Sequence, residues 1–161
     1  MTVAKIIESA VSWAEAIAAD NTHTYSQKVR WGPSYDCSSL LISAWEQAGV
    51  PLRSQGASHT GNMAAVMLAN GFERITSNIN FSTGSGFRRG DVILAHLGDQ
   101  RHVAMSVGNG QIVEAFGGYD PAQSIRVTKY YKWGQDRAYR YVGKGAVDEP
   151  SFRVTAYPRR A

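Results

Sequence analysis

The stretch from His102 to Phe116 reads HVAMSVGNGQIVEAF and carries the clearest folding signal in the chain. Its two runs of β-branched and apolar residues flank Gly108-Asn109-Gly110, a turn sequence typical of a β-hairpin. Similar short runs, separated by Gly, Asn and Asp, occupy residues 92–95, 124–128 and 138–142. The second half of the chain therefore predicts a mostly antiparallel sheet of about five or six strands.

The first half of the chain shows helical periodicity instead. Apolar residues recur every three or four positions from Val3 to Ala18 and from Leu40 to Ala48, where Gly49 ends the pattern. A shorter apolar stripe from Met63 to Met67 precedes Asn70-Gly71, a sequence that commonly ends a helix. Helices followed by strands predict an α+β domain in which the N-terminal helices pack on one side of the sheet.

Length and composition favour one soluble, monomeric domain. The chain has 161 residues, of which 43% are hydrophobic, and we interpret residues 1–145 as the folded domain and residues 146–161 as a tail or linker. The formal net charge of +4 comes without a long basic run, so nucleic acid is not an expected partner. Because no apolar run approaches about twenty residues and residues 1–20 lack a continuous apolar core, we expect neither membrane insertion nor a signal peptide.

The only cysteine, Cys37, stands where a turn-rich loop gives way to a helix. Backbone N–H groups and the positive end of the helix dipole stabilise a thiolate at such a position, and the same N–H groups can hold an oxyanion. A lone cysteine is otherwise most often a small buried apolar residue. The polar neighbours Asp36, Ser38 and Ser39 favour a nucleophile, because the apolar stripe begins only at Leu40. A single cysteine also excludes an internal disulfide and a multi-cysteine zinc site.

A thiol nucleophile needs a base, and the chain offers four histidines. His23 and His59 fall in polar loops, and His96 ends an apolar strand run that suits a sheet residue. His102 is the best placed, because it begins the first strand of the hairpin.

The length of the hairpin turn decides whether Glu114 can reach His102. With a three-residue turn the paired residue numbers sum to 218, and Glu114 lies opposite Ala104 on the face that carries His102. The Cβ atoms of His102 and Glu114 would then be about 7–8 Å apart, a gap that long side chains bridge. With a two-residue turn at Asn109-Gly110 the sum is 219, and Glu114 pairs with Met105 on the opposite face. The turn sequence permits both registers.

These features resemble the NlpC-type papain-like cell-wall peptidases, and within them the bacteriophage endolysin amidase branch. That family combines an Asp-Cys-Ser helix start, a Gly-Asp pair that opens the first strand, and a histidine that begins a Gly/Asn-turned hairpin. Asp36-Cys37-Ser38, Gly90-Asp91 and His102 match these features in order and spacing. The match spans most of the chain and implies the small papain-like α+β core.

The resemblance also implies roles for individual residues. A third polar residue usually follows the catalytic histidine by twelve positions, which selects Glu114 and the register that sums to 218. In such enzymes a tyrosine some twelve residues before the cysteine commonly contributes to the oxyanion site, and Tyr25 stands at that position. We expect Asp36 and Ser38 to contact polar groups of the substrate. Ser39 replaces the more usual glycine, which is similar to the phage branch.

The activity implied is hydrolysis of an amide bond in bacterial peptidoglycan, with Cys37 as nucleophile, His102 as base and Glu114 orienting the imidazole. The bond is either the N-acetylmuramoyl–L-alanine amide or a peptide bond of the stem. Peptidoglycan is the expected partner, no metal or cofactor is expected, and the tail would lead to a wall-binding module in a longer protein. A phage endolysin would stay in the host cytoplasm until a holin-type lesion released it to the wall.

Two other functions stay open from the sequence. A zinc-dependent wall amidase would use His96, Asp99 and His102, although no recognised ligand motif has this spacing. A non-catalytic wall- or nucleic-acid-binding module would use the basic surface and a set of aromatic side chains, namely Trp31, Tyr119, Tyr130, Tyr131 and Trp133. Such aromatic residues more commonly belong to a core or a groove.

Overall fold

The computed structural model describes residues 1–95, 101–118 and 120–143, and the structural statements below refer to that part of the chain. The helices are α1 (Val3–Ala19), α2 (Cys37–Gln47) and α3 (Met63–Ala69), and a short 3-10 helix covers Pro121–Gln123. The strands are β1 (Phe72–Arg74), β2 (Val92–Ala95), β3 (His102–Gly108), β4 (Gln111–Ala115), β5 (Ile125–Lys129) and β6 (Arg137–Tyr141).

The six described strands form one sheet in the order β1-β6-β2-β3-β4-β5, and every neighbouring pair is antiparallel. The predicted α+β class, the three predicted helices and the antiparallel sheet are confirmed. The sequence patterns did not predict β1, because its three residues are too few to establish an alternating pattern. This strand forms one edge of the sheet, where Phe72 pairs with Tyr141.

The helices pack on one face of the sheet, as predicted. Trp45 of α2 is fully buried, and its ring centroid lies 4.8 Å from that of Phe72 and 5.4 Å from that of Tyr141. Truncating a buried side chain of this size to alanine typically costs about 3–5 kcal/mol. This aromatic cluster therefore fixes α2 against the sheet and sets the position of its N-terminal end.

The opposite face of the central strands is also buried. Ile93, Ala104 and Ile112 form an apolar cluster there with Trp133, and the partly buried rings of the loops border it, namely Phe81, Phe87, Tyr130 and Tyr131. Loop segments thus cover this face of the sheet. The two-sided cover explains why every residue of β2, and nearly every residue of β3, is buried instead of alternating with exposed positions.

The β3–β4 hairpin combines features of both registers that the sequence left open. A two-residue turn at Asn109-Gly110, with φ angles of 55° and 74°, closes the hairpin. Val107 has no partner on β4 and forms a β-bulge. On the side of the bulge away from the turn, Ser106 pairs with Ile112, and the paired residue numbers sum to 218. The register selected through the family resemblance is confirmed, but it arises from a bulge and not from a three-residue turn. It places Glu114 on the face that carries His102.

Several of the sequence-based expectations concern residues outside the described part of the chain. They are the tail 146–161 with its boundary at 145, the two candidate zinc ligands His96 and Asp99, and the aromatic residue Tyr119. Among the helices that the structure describes, none is both long enough and apolar enough to cross a bilayer.

Candidate active site

The start of α2 is fixed by two reciprocal side-chain caps. The Oδ1 atom of Asp36 accepts a hydrogen bond from the backbone N–H of Ser39 at 2.8 Å. In return, the Oγ atom of Ser39 accepts one from the backbone N–H of Asp36 at 2.9 Å. Cys37 follows the cap as the first residue of the helix, and it is half-buried. Its thiol is therefore held at the positive end of the helix dipole.

Arg30 holds this helix start from the preceding loop. Its Nε atom donates to Oδ2 of Asp36 at 2.5 Å, and its Nη2 atom donates to Oγ of Ser38 at 3.2 Å and to the carbonyl oxygen of Ser58. Burial by itself raises the pKa of the Asp36 carboxyl group, but hydrogen bonds from Arg30 and Ser39 outweigh it and lower that pKa. Asp36 is thus a charged cap whose oxygens are already engaged. No sequence motif identifies Arg30 as a partner of this helix cap.

The bulged hairpin brings His102 and Glu114 into direct contact. The Nε2 atom of His102 lies 2.8 Å from Oε1 of Glu114. On its other side the imidazole faces Cys37, which lines the same cleft and contributes to raising the pKa of His102. The imidazole therefore lies between the thiol and the carboxylate, which is the order of nucleophile, base and orienting group in thiol- and hydroxyl-based acyl transfer.

The positive charge of His102 is stabilised from both sides. Burial of the ring by itself lowers the pKa of His102, but the hydrogen bonds and charges of Cys37 and Glu114 outweigh burial and raise that pKa to about 9. The imidazole is therefore protonated at neutral pH. A protonated imidazole beside the thiol can supply a proton to a leaving group.

Glu114 is completely buried and is held by three neighbours. Besides His102, the hydroxyl of Tyr131 donates to its Oε1 at 2.7 Å, and Nε of Arg126 donates to its Oε2 at 3.1 Å. Burial raises the pKa of Glu114, but these hydrogen bonds outweigh it and lower that pKa, so the group is an anion. Arg126 lies directly opposite Glu114 in the β4–β5 register. This cross-strand charge pair is the signal that could have identified Arg126 from the sequence.

Cys37 and His102 line a cleft with a volume of about 230 Å³. Its walls consist mostly of apolar and aromatic groups, and Arg101 adds a positive charge; the lining residues are Tyr25, Cys37, Arg101, His102, Ala115, Phe116, Gly117 and Trp133. A larger cavity, of about 350 Å³, lies near α1 and β6 but contains neither the thiol nor the imidazole. The carboxylate of that second cavity, Asp91, already receives two hydrogen bonds from Arg140. The smaller cleft is therefore the candidate active site.

Tyr25 lies beside Cys37 in this cleft. Its backbone N–H donates to Oγ of Ser124 at 3.0 Å, and its hydroxyl accepts a hydrogen bond from Nε2 of Gln27 at 3.1 Å. The hydroxyl proton is therefore left for a group bound in the cleft. Burial, with a contribution from the charge of Cys37, raises the pKa of Tyr25, so the hydroxyl stays neutral and can donate. The backbone at Gly117 passes so close that a Cβ atom there would lie 2.9 Å from the Tyr25 ring.

The structure thus separates the predicted site residues into two groups. Three of them line the cleft, namely Tyr25, Cys37 and His102, and the buried Glu114 contacts His102 from behind. Asp36 and Ser38 do not line the cleft, because both are buried beside the helix start and Oγ of Ser38 donates to Oδ1 of Asp36 at 3.0 Å. The sequence reasoning missed Arg101 and Phe116 as lining residues, and it considered Trp133 only as part of a binding surface.

Of the aromatic residues of the alternative binding module, Tyr130 and Tyr131 pack against Trp133, with 6.0 Å and 5.3 Å between ring centroids, and this cluster lies beside His102. Trp133 is buried with its ring centroid 5.2 Å from that of His102, whereas the half-buried ring of Trp31 is covered by the guanidinium of Arg53 at 4.0 Å. Two of the three ligands of the zinc alternative fall outside the described chain. Within the described residues, no three side chains of the His, Cys, Asp or Glu type cluster as a metal site would require.

The sequence profile described as the NlpC/P60 family matches residues 24–138, a range that includes Tyr25, Cys37, His102 and Glu114. No curated protein sequence matches the chain.

Three similar solved structures share the fold. The P60 domain of an antigen from M. avium subspecies paratuberculosis is 20% identical with a TM-score of 0.60, over 88% of this chain and 98% of that chain. NlpC2 from Trichomonas vaginalis is 21% identical with a TM-score of 0.64, over 88% of this chain and 48% of that chain. The peptidoglycan hydrolase RipB from Mycobacterium tuberculosis is 20% identical with a TM-score of 0.56, over 88% of this chain and 67% of that chain. At these identities the similarity shows the fold alone.

Proposed function

The chain belongs to the NlpC/P60 family, and from that premise we propose that it is a cysteine-dependent hydrolase that cuts an amide bond in bacterial peptidoglycan. The observation that carries this proposal is the placement of His102 beside Cys37 in one cleft, with the buried Glu114 behind it and 2.8 Å between the imidazole and the carboxylate. The similar structure of RipB, which is described as a peptidoglycan hydrolase, supports the same substrate class.

The reaction proposed is acyl transfer through a thioester. The proton shared by Cys37 and His102 resides on the imidazole, and the Cys37 sulfur attacks the carbonyl carbon of the scissile amide. The resulting oxyanion accepts hydrogen bonds from the backbone N–H of Cys37 and from the hydroxyl of Tyr25. When the C–N bond breaks, the protonated His102 donates its proton to the leaving amine.

The second half of the reaction frees the Cys37 sulfur and restores the protonated His102. His102, now neutral, takes a proton from a water molecule whose oxygen attacks the thioester carbonyl carbon. The C–S bond then breaks, the carboxylic acid product leaves, and the proton taken from water remains on His102 beside the freed Cys37 sulfur. Glu114 keeps the ring oriented throughout and stabilises its charged form, while Arg126 and Tyr131 hold the carboxylate in place.

Two amide bonds of the wall fit this chemistry, the N-acetylmuramoyl–L-alanine amide and a peptide bond of the stem. Mass spectrometry of the soluble fragments released from purified peptidoglycan distinguishes them, because the amidase leaves an intact stem peptide with a free N-terminal alanine. An endopeptidase instead leaves a truncated stem on the muramic acid. Digestion that releases neither set of fragments would contradict the proposed activity.

The finer assignment to the phage endolysin branch belongs to the same proposal. It is supported by the helix start Asp36-Cys37-Ser38-Ser39, in which the second serine stands where glycine is more usual. An endolysin acts from the host cytoplasm once a holin-type lesion has opened the membrane. Bacteria that express the protein should therefore keep their turbidity until chloroform is added, and then lyse. Lysis in the absence of a permeabilising agent would contradict this localisation.

A further inference from the structure

Both acidic side chains next to the nucleophile already have positively charged partners. Asp36 is bonded to Arg30 within the helix cap, and Glu114 is bonded to His102 and Arg126. An Asp-Cys-Ser sequence would suggest that the aspartate and serine bind a positively charged group of the substrate. In this chain the guanidinium of Arg30 already contacts both of them. The acidic groups near Cys37 are therefore not available to bind a substrate ammonium group.

Arg101 differs from these residues. It is exposed, it lines the cleft beside His102, and its side chain has no hydrogen-bond or ion-pair partner among the residues that the structure describes. The other lining groups are aromatic rings, small residues and the catalytic pair itself. Because no carboxylate is among the residues that line the cleft, the guanidinium of Arg101 gives it a positive charge that no acidic side chain there offsets.

We propose that Arg101 determines specificity by binding a free carboxylate of the substrate peptide next to the scissile bond. This inference rests on the proposed function. A guanidinium presents parallel N–H donors that match a carboxylate, and the aromatic walls of the cleft, including Phe116 and Trp133, reduce the competition from water. In wall stem peptides the D-glutamate residue carries such a carboxylate, and it lies close to both candidate bonds. Amidation of this carboxylate removes the charge while leaving the shape almost unchanged.

The test compares two synthetic muramoyl stem peptides, both amidated at the C-terminus, that differ only in a free or an amidated α-carboxylate on D-glutamate. We expect the wild-type kcat/KM to be about tenfold to a hundredfold higher for the free carboxylate. In Arg101→Gln the kcat/KM for the carboxylate peptide should fall to that for the amidated peptide, so that the ratio of the two values approaches one. Absence of any preference in the wild type, or an equal loss for both peptides in Arg101→Gln, would overturn the proposal.

Arg88→Gln is the matched control, because Arg88 is an exposed arginine that lies outside this cleft. This variant should keep the wild-type preference, which would show that overall charge is not the cause. A preference lost equally in Arg88→Gln and Arg101→Gln would contradict a direct contact.

Binding measurements separate this inference from the proposed function. Calorimetry with the inactive Cys37→Ala variant should give a lower Kd for the carboxylate peptide than for the amidated one, and the difference should vanish in Cys37→Ala/Arg101→Gln. Equal Kd values in Cys37→Ala would reject the role of Arg101, whatever the catalytic results. Tighter binding of the carboxylate peptide without any Cys37-dependent hydrolysis would instead reject the proposed function alone.

Discussion

The Nε2 atom of His102 and the Oε1 atom of Glu114 lie 2.8 Å apart, and the β-bulge at Val107 makes this contact possible. The two-residue turn at Asn109-Gly110 would by itself direct Glu114 to the opposite face of the sheet. The unpaired residue at the bulge shifts the register by one and returns the carboxylate to the face of the imidazole. One backbone irregularity, outside the cleft, therefore determines whether the base has its partner.

The pH dependence of hydrolysis should report the protonation of His102. Because Cys37 and Glu114 raise the pKa of His102 to about 9, we expect kcat/KM to fall as the pH rises through about 9. The ring then loses the proton that it must give to the leaving amine. In Glu114→Gln one of the two groups that raise this pKa is gone, so the alkaline limb should move to lower pH. An unchanged limb in that variant would contradict the assigned role of Glu114.

The same pKa shift predicts how stability responds to pH. The folded pKa of His102 lies above the ordinary value of 6.5, so its contribution to the free energy of unfolding is complete below pH 6.5. It is lost as the pH rises through about 9. Urea unfolding followed by circular dichroism across this range should therefore show a larger decline in the wild type than in Glu114→Gln.

The hydroxyl of Tyr25 should contribute to the rate of the chemical step. It accepts from Gln27, which leaves its proton for the oxyanion. Tyr25→Phe should therefore reduce kcat about a hundredfold with little change in KM, as expected for the loss of an oxyanion donor. Tyr35→Phe serves as the control, because Tyr35 is a buried tyrosine that does not line the cleft. If kcat is unchanged in Tyr25→Phe, the oxyanion is held without this residue.

A methyl group at position 117 should disturb the cleft more than one at position 118. A Cβ atom at Gly117 would lie 2.9 Å from the ring of Tyr25, whereas one at Gly118 would lie 3.4 Å from the ring of Phe116. The Tyr25 ring must therefore move in Gly117→Ala, and kcat/KM should fall about tenfold or more because the reacting groups lose their alignment. Gly118→Ala should stay close to wild type. Equal activities of the two variants would show that the position of Tyr25 is not critical.

The cap on α2 should be important for stability as well as for the site. Asp36→Ala removes the acceptor for the Ser39 N–H and leaves Arg30 without its anion. We expect the free energy of unfolding to fall by about 2 kcal/mol, the upper range for loss of a helix cap. Asp36→Asn keeps the oxygen but not the charge, so it should cost less. Urea unfolding of the two variants would contradict this account if Asp36→Asn were the less stable one.

Most of the fold could be predicted because its signals are local. The apolar periodicity of α1 and α2, the Gly49 stop and the short β-branched runs each depend on neighbouring residues only. By contrast, β1 is too short to show a pattern, and its edge position depends on pairing with β6. The cover of the second sheet face likewise depends on loops whose paths the sequence does not specify.

The site was predictable to the extent that it depends on motif and register. Cys37 has a local signal in the helix start, and His102 has one in the hairpin. The turn sequence at Asn109-Gly110 fits both registers, so no local rule could place the bulge that positions Glu114. Arg30 contacts Asp36 through the path of its loop, which only the folded structure shows. Arg126 could have been identified once β5 was aligned with β4, because the two strands place it opposite Glu114.

The most direct test of the central claim is the release of new amino groups from purified bacterial cell walls by wild type and by Cys37→Ala. Cys37 is half-buried at the first position of α2, so its replacement by alanine should preserve the fold, as circular dichroism and the Tm would verify. The thioester mechanism predicts steady release by the wild type and none above background by the folded variant. Release at the wild-type rate by folded Cys37→Ala would contradict cysteine catalysis.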